Sequence, residues 1–206
     1  MSYIPVSREK LKEILRDLRC YYNKPERYYH NWKHIMDVWR FLSVPMKSMS
    51  VFDRQHLQLA IWFHDAVYDT TRNDNEARSA RLVEYILQDL LQINIMYIKK
   101  LVLSTIDHQL NIFENPHTRV AKLFLDADMS ILAADKATYD KYSDNIKKEY
   151  SHLCEIDYEC ARFQFIQNTL KKENIFLIRH DLEDRARGNL NRELSKLQRG
   201  CNYDRG

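Results

Sequence analysis

The residues best placed to do chemistry are His64 and Asp65, embedded in the string LQLAIWFHDAV. Leu57, Leu59, Ala60, Ile61, Trp62, Phe63, Ala66 and Val67 surround the pair on nearly every side of a helix, and a helix apolar all round is a buried one. A carboxylate there costs several kcal/mol, roughly, unless a cation or a metal compensates it. The same problem recurs at VAKLFLDADMSILAA, where Asp126 and Asp128 sit in a second apolar run. A third helix supplies His34, with His30 one turn before it on the same face. Two His and two Asp from three helices form a mixed nitrogen and oxygen donor set. Such donors suit Mn, Fe, Zn and related divalent ions, and four protein ligands leave an octahedral ion two open positions. Asp126 and Asp128 lie about 200° apart around a helix, so both cannot readily face one ion.

The elements that position these groups read as helices. Ser7 caps a first helix running to about Tyr22, and Pro25 breaks it. A second is expected from about Tyr28 to Leu42, and Pro45 with Ser48–Ser50 marks a loop. Asp53 is expected to cap the helix that carries His64-Asp65. Asp69–Asn75 reads as a loop. Further helices are expected at about 75–92, 94–109, 117–133, 136–152, 155–173 and 182–198, with breaks at Asn115-Pro116 and Asp135. The expectation is an all-α bundle: one domain over 1–206, with a charged surface helix and tail from about 181.

Glycine is the informative absence. The chain has only three, Gly188, Gly200 and Gly206, so residues 1–187 hold none. Walker loops and dinucleotide fingerprints both need glycine for close approach of backbone to phosphate, and both are excluded. Net charge is +3 with the two signs mixed, which leaves no nucleic-acid footprint. Cys20, Cys154, Cys160 and Cys201 make neither a CxxC pair nor a zinc-knuckle spacing and read as free thiols. No apolar run approaches a membrane span, and the N-terminus has no signal-like core. The expectation is a soluble cytoplasmic protein.

An HD dipeptide alone carries little, since the chain also contains His180-Asp181 in a polar stretch. The order His34, His64-Asp65 and then a DAD string resembles the H…HD…D signature of the HD superfamily of metal-dependent phosphohydrolases. The strings YYHNWKHI, AIWFHDAVYD, NDNEARSA and LDADMSIL are similar to one branch of it, from about Arg27 to Tyr150 and more weakly through ARGNLNREL. The resemblance implies His34, His64, Asp65 and Asp128 as ligands of a divalent metal (Mn, Fe, Zn, Co, Ni or Mg), with Asp126 orienting a histidine. HDAVYDTT also resembles the HDVVEDT string of alarmone hydrolases. Asp69 matches their catalytic Asp, whereas Tyr68 stands where they carry Glu. The resemblance thus implies Asp69, together with Glu76, as the groups that orient or deprotonate water. Arg27, His30 and His108 are then candidate phosphate contacts. The implied substrate is a small phosphorylated compound, a nucleotide by superfamily habit, and a homo-oligomer stays open. Two other readings remain: a metal- and nucleotide-binding sensor without turnover, and a di-iron oxygenase, for which only His108 and His117 are available as extra ligands.

Overall fold

The computed structural model describes residues 5–108, 110 and 118–203, with side chains through 197. Among these residues the chain is all-α, with nine α-helices, three short 3-10 turns and no strand. The break at Asn115-Pro116 and His117 lie outside the described residues, as does the side chain of Cys201. The chain divides into two compact units, Met1–Asp128 and Met129–Gly206.

The first unit holds α1 (Arg8–Tyr22), α2 (Trp32–Leu42), α3 (Val51–Phe63), α4 (Asn75–Leu87), α5 (Ile95–Leu103) and α6 (Thr118–Asp128). Ser7 caps α1 through the Lys10 amide, and Ile14, Leu18 and Tyr22 line its buried face at four-residue spacing. Helix α3 packs against all five other helices of the unit. That explains why its sequence is apolar all round: Leu57, Leu59, Ala60, Ile61 and Phe63 are each fully buried. Burying each of the Leu, Ile and Phe side chains stabilises the fold by about 1.5–3 kcal/mol relative to leaving it in water. The cap of α3 is Ser50 rather than Asp53. The Ser50 hydroxyl accepts from the Asp53 amide and donates to the Asp53 carboxylate, so Asp53 closes a reciprocal box in the first turn.

Further boundaries differ from the sequence reading: α4 ends at Leu87 instead of about 92, α5 at Leu103 instead of about 109, which leaves His108 beyond it, and α6 at Asp128 instead of about 133. Two more lie at the site itself. Helix α2 begins at Trp32, not near Tyr28. The Asn31 side chain accepts from the Lys33 amide while its own amide donates to the carbonyls of Arg27 and Tyr28. His30 therefore precedes the helix instead of lying one turn below His34 on it. Helix α3 ends at Phe63, with His64 as its C-cap and Asp65 in the turn beyond. At the end of the helix the carbonyls go to other partners: Ile61 accepts from His64 Nδ1, Trp62 from the Tyr22 hydroxyl and Phe63 from the Ala66 amide, while the Val67 amide donates to Ser79. The Arg27 guanidinium then holds the turn beyond, donating to the carbonyls of Asp65 and Ala66 at 2.6 and 2.9 Å.

The second unit holds α7 (Lys136–Glu149), α8 (Glu155–Lys171) and α9 (Glu183–Tyr203). Asp135 caps α7, and the Cys154 thiol accepts from the Asp157 amide at the start of α8. Helix α9 is more than the expected charged surface helix. Ala186, Asn189, Leu190 and Glu193 are buried along it. The Glu193 carboxylate takes a forked pair of bonds from Arg162 at 2.8 and 3.1 Å and accepts from Ser143 and Tyr139. Cys20, Cys154 and Cys160 are free and exposed. No helix among the described residues is long and apolar enough to cross a membrane.

Candidate metal centre

Three helices of the first unit and one turn deliver the site. Helix α2 supplies His34 from its first turn, the end of α3 supplies His64, the turn after it supplies Asp65, and the last residue of α6 is Asp128. His34 and His64 are buried, and the carboxylates of Asp65 and Asp128 are 14% and 15% exposed, so the donors are enclosed yet reachable.

Both carboxylates stand against the imidazole pair. The two Nε2 atoms lie 3.2 Å apart. Asp65 Oδ2 is 3.5 Å from His34 Nε2 and 3.3 Å from His64 Nε2. Asp128 Oδ1 is 3.2 Å and 3.5 Å from the same two nitrogens. Ligands held about 2.1 Å from an ion are separated by about 3.0 Å along an octahedral edge and about 3.4 Å along a tetrahedral one. The observed spacings match that range. Donor atoms of His34, His64 and Asp65 all lie within 4.8 Å of one another, a group able to hold a metal ion. His64 Nδ1 is 2.9 Å from the Ile61 carbonyl, which can only accept. Nδ1 therefore carries a proton, and in the neutral ring Nε2 offers its lone pair to the site.

Without a metal the cluster is held by charge. Burial presses His64 downward, but the carboxylates of Asp65 and Asp128 override it and raise its pKa well above the ordinary value. Burial presses Asp65 upward, and the charge and hydrogen bond of His64 drive it far below the carboxylate range. Asp128 is likewise held well below that range, against burial, by His108, His34 and His64. A divalent ion would replace the protons that now bridge these groups.

The other candidates fall in different places. Arg27 is buried beneath the site. Its guanidinium donates to the carbonyls of His30, Asp65 and Ala66 and lies over the rings of Tyr22 and Tyr68. His30 is half-buried and stacks on Tyr68 at 4.0 Å, with its ring 6.0 Å from that of His34. Asp69 is exposed, and its Oδ1 accepts from the amide and hydroxyl of Thr71, which lowers its pKa. Glu76 is half-buried in the first turn of α4. His108 Nε2 lies 3.2 Å from Asp128 Oδ2. Asp126 is buried, two residues before the ligand end of α6. His180-Asp181 is exposed, with Asp181 gripped by Arg179.

Sequence reading missed the groups that hold the loop after Asp65. The Asn75 side chain pairs with both the amide and the carbonyl of Asp69, and the buried Ser79 hydroxyl bonds the amide and carbonyl of Val67. Both residues belong to NDNEARSA, where Glu76 had drawn notice instead. Tyr22, which marked only a helix end in the sequence, also belongs to this region. The Tyr22 hydroxyl donates to the Trp62 carbonyl, and burial, aided by the charge of Asp65, pushes its pKa well up. The clefts lined by Tyr139, Ser143, Lys147 and Tyr158 lie in the second unit and contain none of the candidate residues.

No family model, curated protein or solved structure gave a match to this chain.

Proposed function

We propose that the chain is a metal-dependent phosphohydrolase of the HD type, acting on a phosphate ester or anhydride and in the first instance on a nucleotide. The observation that carries this reading is that the carboxylates of Asp65 and Asp128 each stand 3.2–3.5 Å from both imidazole nitrogens of the His34–His64 pair. The residues present fit a divalent ion, since two imidazole nitrogens and two carboxylates form a donor set suited to Mn, Fe, Co, Ni or Zn. Such an ion supplies Lewis acidity to a phosphoryl oxygen and to water. The phosphate substrate itself rests on the resemblance of the motif strings, which is analogy.

The chain's own groups then divide the remaining work. Asp69 holds Oδ1 on Thr71, and that turn leaves Oδ2 for water. Its lowered pKa keeps it anionic, so its role is to orient water more than to store a proton. Glu76 is the second candidate for that role. His30 stands near the pair as a cationic neighbour for the phosphoryl group, and its charge also acts on Asp65. Arg27 holds the turn that presents Asp65.

A sensor that holds metal and nucleotide without turnover is the second reading. The exposure of Asp69, whose hydrogen bonds stay within its own loop, favours it. The purified protein should be screened against nucleotides, alarmones and simple phosphomonoesters with Mn, Mg, Co, Ni and Fe, beside Asp65→Ala. Metal-dependent turnover lost in Asp65→Ala is the expected result. Turnover unchanged in that variant overturns the site. Tight nucleotide binding with no turnover in any condition replaces the hydrolase with the sensor.

A further inference from the structure

His108 has the one left-handed backbone among the described non-glycine residues, at φ 55°. That conformation is strained for a residue with a Cβ, and residues held there cluster at functional sites. The chain places a histidine at a position where Gly or Asn would be at ease. Its side chain gives the reason. Nε2 lies 3.2 Å from Asp128 Oδ2, while the other oxygen of the same carboxylate, Oδ1, faces His34 and His64. The Asp128 carboxylate is therefore shared: one oxygen turned to the candidate metal, the other to His108.

We infer that His108 is a positioning residue for the metal centre: its Nε2–H donates to Asp128 Oδ2 and fixes Oδ1 toward the imidazole pair. His108 meets Oδ2, whereas His34 and His64 meet Oδ1, so the inference gives His108 the part of a donor to the carboxylate and leaves the ion to the imidazole pair. The inference rests on the metal reading and assigns His108 neither to the phosphate nor to the ion. Such outer partners set the orientation and basicity of a ligand, and their loss typically lowers metal affinity about 10–100-fold.

Two substitutions separate the hydrogen bond from the backbone. His108→Gly accepts the left-handed conformation freely but removes the donor. His108→Gln places an amide nitrogen where Nε2 stood and restores the donor. Cobalt(II) alone is titrated into the full-length protein and both variants, following visible absorption and titration heat, with far-UV circular dichroism to check folding. The expected result is an affinity about 10–100-fold weaker in His108→Gly, with substantial recovery and a wild-type cobalt spectrum in His108→Gln. Wild-type affinity in a folded His108→Gly overturns the positioning role and leaves the metal centre intact. Equal loss in both variants with an altered spectrum overturns it in favour of direct ligation. No cobalt binding by the wild-type chain overturns the metal reading, and this inference with it.

Discussion

Replacing Arg27 with Met should destabilise the first unit even when no metal or substrate is present. The guanidinium is 5% exposed and donates to three carbonyls: Asp65 at 2.6 Å, Ala66 at 2.9 Å and His30 at 3.1 Å. A hydrogen bond from a charged donor is worth about 1.5–3 kcal/mol net, and bonds sharing one group do not simply add. Met keeps the buried stem but leaves the carbonyls without their donor, and a loss of about 3–5 kcal/mol follows. For a chain of this size each kcal/mol moves the melting midpoint by about 2–4 °C, so the shift should be roughly 6–20 °C. Trp32, Trp39 and Trp62 are the only tryptophans and all lie in Met1–Asp128, so tryptophan fluorescence reads that unit by itself. The assay is a fluorescence melt in chelator. Arg27→Lys should fall between, since one ammonium cannot reach three carbonyls in the same fork. A midpoint for Arg27→Met within about 2 °C of wild type refutes the anchoring role. If KM for a phosphate substrate then rises sharply, Arg27 contacts phosphate instead.

Three further outcomes are expected. In the metal-free protein the lowered pKa values of Asp65 and Asp128 contribute stability above about pH 4, which is lost as pH falls through the folded values. The raised pKa of His64 contributes below about pH 6.5 and is lost as pH rises through its folded value. Metal requires neutral His64, so cobalt titrations at about pH 6 and about pH 8 should give the tighter Kd at the higher pH; a flat or reversed dependence contradicts the proton competition. Asp69→Asn should lower kcat at least about 100-fold with cobalt affinity little changed, and unchanged turnover would reduce Asp69 to a loop cap. In the second unit Arg162→Met strands the Glu193 carboxylate, buried with a pKa held down by Arg162 against burial. A loss of about 3–5 kcal/mol is expected in a far-UV dichroism melt, and a melt indistinguishable from wild type contradicts it.

The sequence by itself determined the helical class, the burial of α3 and the short set of candidate donors. These follow from local pattern: apolar residues around the helix over 57–67, the cap at Ser7, the break at Asp135, and the scarcity of glycine. Tertiary structure decided the things that depend on partners distant in sequence. The Tyr22 hydroxyl takes the Trp62 carbonyl at the end of α3, and Arg27, 38 residues before Asp65, holds the turn that carries Asp65. Asn31 delays α2 and sends His30 to stack on Tyr68 instead of under His34. The choice between Asp126 and Asp128 was open to helical geometry, and only the fold brings His34, His64 and His108 from three segments to the Asp128 carboxylate. Periodicity records which face of a helix is buried. It does not record which side chain from another helix will meet that face, because that hydrogen bond exists only once the chain has folded.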